Sequence, residues 1–217
     1  MPYPKVNQGL VLNEAYWKGV YGDGYDVDGD YNARLHAKYI HSLFQLMESK
    51  IQSLGDFGFG KASLLREFVK IFKPARVVAL EPSPERVEDL RKKSWVSTTH
   101  IQIFNTTLQE FDPPYLRHAP LDLAICNSVL QYIPDKELKD VVAKMAQLSR
   151  FLYFTVPTKN DYIRMKKEIA FEDPYAFVRN LKFYRKLMSE HYHYVSYNLL
   201  ESKFFPATVF HEEFFKF

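Results

Sequence analysis

Five short apolar runs, at residues 52–57, 76–81, 100–105, 121–127 and 151–156, are each separated from the next by far more chain than a hairpin needs. That spacing limits what the sequence can fold into. The runs have the length of strands, and the segments between them carry a helical period: Leu64, Leu65, Phe68, Val69 and Phe72 after the first, and Leu138, Val141, Val142, Met145 and Leu148 after the fourth. Strands alternating with helices require right-handed crossovers and a parallel sheet covered on both faces, a three-layer αβα architecture. Two helix starts are marked by caps. Ser83-Pro84 supplies an N-cap and a proline at the first helical position for a helix over 85–93, and Asp135 is expected to cap a helix over 136–148.

The ends of the chain read differently. Leu35, Tyr39, Leu43, Phe44, Met47 and Ile51 predict a helix from Asn32 that leads into the first strand, while residues 1–31 have little periodicity and read as a cap. The expected division is therefore a cap and leading helix over 1–50 and one α/β domain over 51–217. After the fifth strand, 175–191 has helical character. "YVSYNLLES" and "ATVFHEEFFKF" then follow without room for a crossover helix, and are expected to pair antiparallel at the sheet's edge.

Composition narrows the function classes. Hydrophobic residues make up 47% of the 217, enough for a packed core, and the net charge of +3 is spread without a dense basic run, so nucleic acid is not an expected partner. The single Cys126 excludes an internal disulfide framework and fits a reducing compartment. No apolar stretch approaches the ~20 residues of a membrane span, and the N-terminal residues do not read as a signal peptide. A cytoplasmic protein, monomeric or homodimeric, is the expectation.

"LGDFGFGKASLL", residues 54–65, places a glycine-rich turn between the first strand and its helix, the usual ligand site in such sheets. As a phosphate loop it is one residue short, because Ala62 follows Gly60-Lys61 where Mg²⁺ needs a hydroxyl. As a nicotinamide-cofactor loop it lacks the third glycine. Charge discriminates better than spelling. Asp56 would face any phosphate drawn to the helix N-terminus, which is repulsive, whereas a ligand bearing an ammonium and no phosphate would be attracted.

With these residues in place, the sequence resembles the class I, Rossmann-like methyltransferases that use S-adenosylmethionine. Their first motif maps onto Asp56, Gly58, Gly60 and Ala62, with the last glycine replaced. The resemblance implies that Glu81, 25 residues after Asp56, binds the ribose hydroxyls and that Pro82 lies beside the adenine. It also implies that Thr107 and Leu108 form the adenine-facing third motif and that Asn127 and Leu130 fall beside the donor. The implied strand order is 3-2-1-4-5-7-6, with strand 7 antiparallel. S-adenosyl-L-homocysteine would be the product.

One stretch offers a rival site. Asp112-Pro113-Pro114-Tyr115 spells the base-gripping signature of adenine N6-methyltransferases, but it follows a polar segment instead of a buried strand, so the prolines read as turn residues ahead of strand four. His191, His193, His211 and Glu212 lack ligand spacing for a metal and read as ordinary surface or edge-strand residues. The phenylalanines from Phe204 to Phe217 read as a buried edge strand, and Lys92-Lys93 and Lys166-Lys167 as solvated helix faces.

Methyl transfer from a sulfonium is an in-line displacement, so positioning supplies most of the catalysis and a general base depends on the acceptor. Tyr132, His36 and His41 are the general-base candidates, and Tyr16, Trp17, Tyr25, Tyr31 and Arg34 are expected to build a lid over the acceptor. The expected reaction is methyl transfer to O or N of a small molecule. An RNA or protein acceptor, or a non-catalytic donor-fold module, are the alternatives, and the latter is disfavoured by the full set Asp56, Gly58, Gly60 and Glu81.

Overall fold

A computed structural model describes residues 30–205. Among them seven strands form one sheet, β1 (Ser53–Phe57), β2 (Arg76–Leu80), β3 (Ile101–Phe104), β4 (Leu121–Asn127), β5 (Ser149–Thr155), β6 (Tyr192–Ser196) and β7 (Leu199–Ser202). Their order across the sheet is β3-β2-β1-β4-β5-β7-β6. β1 to β5 run parallel, and β7 is antiparallel to both of its neighbours.

The two faces follow from period-two alternation. Leu54, Val77, Ala79, Leu123, Ile125, Phe151 and Tyr153 point toward a layer made by α1 (Asp30–Leu46), α2 (Ser63–Phe72) and α3 (Pro84–Arg91). Val78, Leu80, Ala124, Cys126, Leu152 and Phe154 point the other way. There they meet the short α4 (Pro114–His118), α5 (Asp135–Leu148) and α7 (Leu181–Ser189). Central strands that are buried on both faces explain the near-continuous apolar runs in the sequence. A further helix, α6 (Lys159–Ile169), buries no residue. No described helix is long and apolar enough to cross a membrane.

Local expectations are corrected in four places. The buried face of α1 is Ala33, Ala37, Ile40 and Phe44, whereas Leu35 is 45% exposed. Small alanines at two of those positions let the helix approach α2 closely. Asp135 does not cap α5, since Pro134 holds the N-cap position and the Asp135 carboxylate instead accepts from Arg179. The helix expected over 175–191 is confined to α7, which Asn180 caps by accepting from the Phe183 N–H. A capping box of Thr158 and Asp161 starts α6, which the sequence reading did not separate.

The edge hairpin also forms otherwise than expected. Both of its strands lie within 192–202, turned at Tyr197-Asn198 by Asn198 at φ 58°. Asn tolerates that left-handed backbone better than other residues with a side chain. The segment from Ala207 onward lies outside the described residues, and the described part of the phenylalanine run is no strand, with Phe204 48% exposed.

Candidate active site

β1 carries Gly55 inside the ladder, opposite Val78 and Ala124, where an added Cβ would lie 2.5 Å from Leu121 Cδ1. A phosphate loop needs that glycine in its turn, so the Walker reading fails on geometry as well as on charge. The turn itself begins after Phe57. Gly58 adopts φ 100°, and a Cβ there would meet Val129 Cγ2 at 2.6 Å. The chain therefore needs glycine for both conformation and space.

Gly60 (φ 51°) and Ala62 (φ 60°) continue an alternation of left-handed residues into the start of α2. Ala62 occupies a conformation that costs a residue with a Cβ about 1–2 kcal/mol. Ala62→Gly is accordingly expected to stabilise the protein by about 1 kcal/mol despite the greater freedom of glycine in the unfolded chain. A urea midpoint that rises with unchanged slope would confirm this, and an unchanged or lower midpoint would refute it.

Asp56 and Glu81 follow Leu54 and Ala79 by two residues, so both project toward the α1–α2 layer at the carboxyl ends of their strands. Asp56 is 2% exposed, and its Oδ1 has no partner among the described residues. Burial, and after it the charge of Glu81, holds the Asp56 carboxyl well above its ordinary range. Glu81, 3% exposed, is better provided for. Its Oε2 accepts from the Gly60 N–H at 2.9 Å and its Oε1 from the Ser83 N–H at 3.0 Å. Burial raises its pKa, and those two bonds with the Arg86 charge pull part of that shift back. Each oxygen retains a lone pair for a ligand hydroxyl. Two buried carboxylates, one of them orphaned, suit a cationic ligand and repel a phosphate.

The loops after β2 and β3 are locked together by Asn105, whose Nδ2 donates to the carbonyls of Glu81 (2.9 Å) and Pro82 (3.0 Å). Thr107 caps the following turn, its Oγ1 accepting from the Glu110 N–H and donating to the Glu110 carboxylate. Leu108 is buried against the core, 5% exposed.

β4 ends at Asn127, whose Oδ1 accepts from Thr155 Oγ1. Ser128 then turns the chain at φ 56°, its N–H donating to the Thr155 carbonyl at 3.0 Å. Val129 is thereby laid over Gly58, and a 3₁₀ turn, Leu130–Tyr132, follows. Leu130 is fully buried. The Tyr132 hydroxyl donates to Asp173 Oδ2 at 2.6 Å. Arg179, 7% exposed, holds this turn by donating to the carbonyls of Leu130 (3.0 Å) and Ile133 (2.6 Å) while its Nε reaches Asp135 Oδ1 at 2.7 Å. Its guanidinium stacks on Phe177 and Phe183. Asp173, Arg179 and Asn105 were not found by the sequence reading. The Thr158–Asp161 capping box was the one local signal for α6.

Residues 56–150 match a family model described as a methyltransferase domain. Over that stretch, 95 of its 217 residues, the chain is similar to methyltransferase domains. Its fold is also that of solved methyltransferases. The plantazolicin methyltransferase BpumL, in complex with a monoazolic desmethylPZN analog and SAH, superposes with TM-score 0.65 at 14% identity, covering 84% of this chain and 73% of that one. The N-methyltransferase NodS from Bradyrhizobium japonicum WM9, in complex with S-adenosyl-L-homocysteine, gives 0.55 at 13%, over 76% and 87% of the two chains. A S-adenosylmethionine-dependent methyltransferase from Clostridium acetobutylicum ATCC 824 gives 0.57 at 14%, over 69% and 59%. No curated protein matches.

In this fold the structure gathers Asp56, Gly58, Gly60, Glu81 and Pro82 around the β1 and β2 ends, with Asn127 and Leu130 in the β4 segment whose Val129 covers Gly58. His36 contacts the Tyr153 hydroxyl through Nδ1, and Tyr153 stands in one lateral row with Ile125 and Asp56. His41 is not brought to this site, since its ring packs on Phe72 at the far end of α2. Arg34 pairs with Glu67 at 3.9 Å, beside α2 and away from the β4 turn. Asp112 to Tyr115 lies between β3 and β4, with Pro113 capping α4 and the Tyr115 hydroxyl donating to Gln102. Tyr16, Trp17 and Tyr25 lie outside the described residues, as does the Tyr31 side chain. His211 and Glu212 do too, and no group of three potential metal ligands occurs among the described residues.

Proposed function

We propose that the protein transfers a methyl group from S-adenosylmethionine to an oxygen or nitrogen of a small molecule. The observation that carries the donor half is the orphaned, buried Asp56 carboxylate beside Glu81, a pair that a donor ammonium and ribose hydroxyls would satisfy. Asn105 would fix the adenine wall by bracing Pro82, with Thr107 and Leu108 beside it. The bound donor supplies a methyl on a positively charged sulfur. This chain's own contribution is to hold that methyl in line with the acceptor and to exclude water, a positioning effect worth ~7–11 kcal/mol.

The acceptor side is formed by the Leu130–Tyr132 turn and the segment that Arg179 fastens to it. Gln131 is buried, and its backbone carbonyl accepts from the Phe177 N–H at 2.7 Å, a second tie between the 170–180 segment and this turn. Tyr132 gives its hydroxyl proton to Asp173 as it takes the acceptor's proton, so the net proton ends on the Asp173 carboxylate. His36 is the second residue able to take a proton. Tyr16, Trp17, Tyr25 and Tyr31 are assigned to the lid. Support for a small acceptor comes from the fold's likeness to an N-methyltransferase and to a methyltransferase crystallised with desmethylPZN analogs. Incubation with methyl-labelled donor and fractionated extract tests this: label in the small-molecule fraction is expected, and label confined to RNA or protein would overturn the acceptor class.

A further inference from the structure

On the outer side of α2, away from the carboxyl ends of the strands, a cavity of about 640 Å³ opens between that helix, the start of α1 and the 95–100 segment ahead of β3. Arg34, Arg66, Lys70 and Lys73 line it, against one carboxylate, Glu67. That carboxylate is buried and already engaged, by Arg66 at 3.2 Å and by Arg34 at 3.9 Å. The whole chain has a net charge of +3, so a single cavity collects as large an excess as the entire molecule carries.

Lys70 alone would be explained by the helix's C-terminal dipole. Arg34, Arg66 and Lys73 would not, because they reach the same space from a different helix, from the first half of α2 and from the left-handed residue that ends it at φ 50°. Trp95 contributes a half-buried indole to the wall. The Thr98 and Thr99 hydroxyls donate to the Trp95 carbonyl at 3.0 and 2.9 Å, which fixes the segment that carries the indole. α2 separates this cavity from Asp56 and Glu81, its inner residues Leu65 and Phe68 packing on the sheet.

We propose that this cavity binds a nucleotide: a phosphate ester held by Lys70, Lys73, Arg66 and Arg34, with its planar ring against Trp95. A concavity of this volume is ligand-sized and larger than a lone phosphate needs. Guanidinium and ammonium groups are the residues that recognise phosphate, and an indole face accepts a heteroaromatic ring. The phosphate ester has two sources, a free nucleotide or a nucleotide unit of a single strand. The site stands apart from the donor site and does not depend on the proposed reaction.

Calorimetry on the full chain, saturated with S-adenosylhomocysteine to occupy the donor site, tests it with adenine-free probes: GDP, guanosine, pyrophosphate and a uridine decamer. GDP is expected to bind saturably, with guanosine at least tenfold weaker. Lys70→Ala/Lys73→Ala should weaken GDP and pyrophosphate at least tenfold, and Trp95→Leu should weaken GDP while leaving pyrophosphate unchanged. A decamer that binds tighter than GDP identifies the strand as the source, and one that binds no tighter identifies the free nucleotide. Absence of saturable binding by every probe to protein that is folded by circular dichroism would overturn the proposal. So would a Lys70→Ala/Lys73→Ala variant that binds GDP like the parent. Failure of S-adenosylhomocysteine itself to bind would count against the donor site alone, and the same titrations would then be run without it.

Discussion

Asp56→Asn is expected to raise the melting temperature of the ligand-free protein by a few degrees and to weaken S-adenosylmethionine binding by at least tenfold. The two effects share one cause. Asp56 is buried, its Oδ1 lacks a partner among the described residues, and its nearest charged neighbour in effect is another carboxylate, so ionisation costs the folded state. Its folded pKa lies above the ordinary 3.8, and linkage then gives the sign. Below 3.8 the penalty is absent, it grows as pH rises toward the raised value, and it is fully present above it. Stability of the empty parent protein should therefore fall with rising pH across that window, and the Asn variant should lack this contribution. Donor affinity runs the other way. It needs both carboxylates ionised and should fall as pH drops through the raised values of Asp56 and Glu81. A charge-assisted hydrogen bond is worth about 1.5–3 kcal/mol, which corresponds to roughly 10- to 100-fold in affinity. Thermal melts with and without donor, at several pH values, check all of this, and an Asn variant that melts lower without ligand would contradict the account of Asp56.

Arg179→Met is expected to cost about 3 kcal/mol of stability. The carbonyls of Leu130 and Ile133 would both lose a buried donor, and an unsatisfied buried polar group costs about 1–3 kcal/mol. The partner Asp135 adds little, because its side chain is 72% exposed and screened by solvent. Methionine retains much of the volume packed on Phe177 and Phe183, so the loss reports the hydrogen bonds more than a cavity. Urea unfolding measures it. A shift under about 0.5 kcal/mol would show that the turn holds itself, and that the 170–180 segment does not brace it.

Strand runs that are apolar on both faces survive any single-position ambiguity, which is why β4 begins and ends where its sequence pattern does and the other central strands differ only at their ends. The Ser83 cap was legible for a similar reason, being a local bond in which its Oγ accepts from the Arg86 N–H. Asp135 had the same spelling but a better partner 44 residues away, and no local rule could see Arg179. The residues proposed for the donor site stand out through a strand-end acid and a glycine alternation. Asp173 and Asn105 carry no such pattern. Their roles come from long-range contacts, with Tyr132 in one case and with the Glu81 and Pro82 carbonyls in the other. Asn198 turned the edge hairpin inside what read as one strand, because a single Asn at φ 58° is enough to reverse a chain.

The most direct test of the central claim is calorimetric titration of the purified protein with S-adenosylmethionine at neutral pH, alongside Asp56→Ala and Glu81→Ala. The account predicts saturable binding to the parent chain and at least tenfold weaker binding to each variant, since one removes the orphaned carboxylate and the other the group that holds Gly60 and is proposed to bind the ribose. No binding by folded parent protein, or equal affinity in all three, would contradict it.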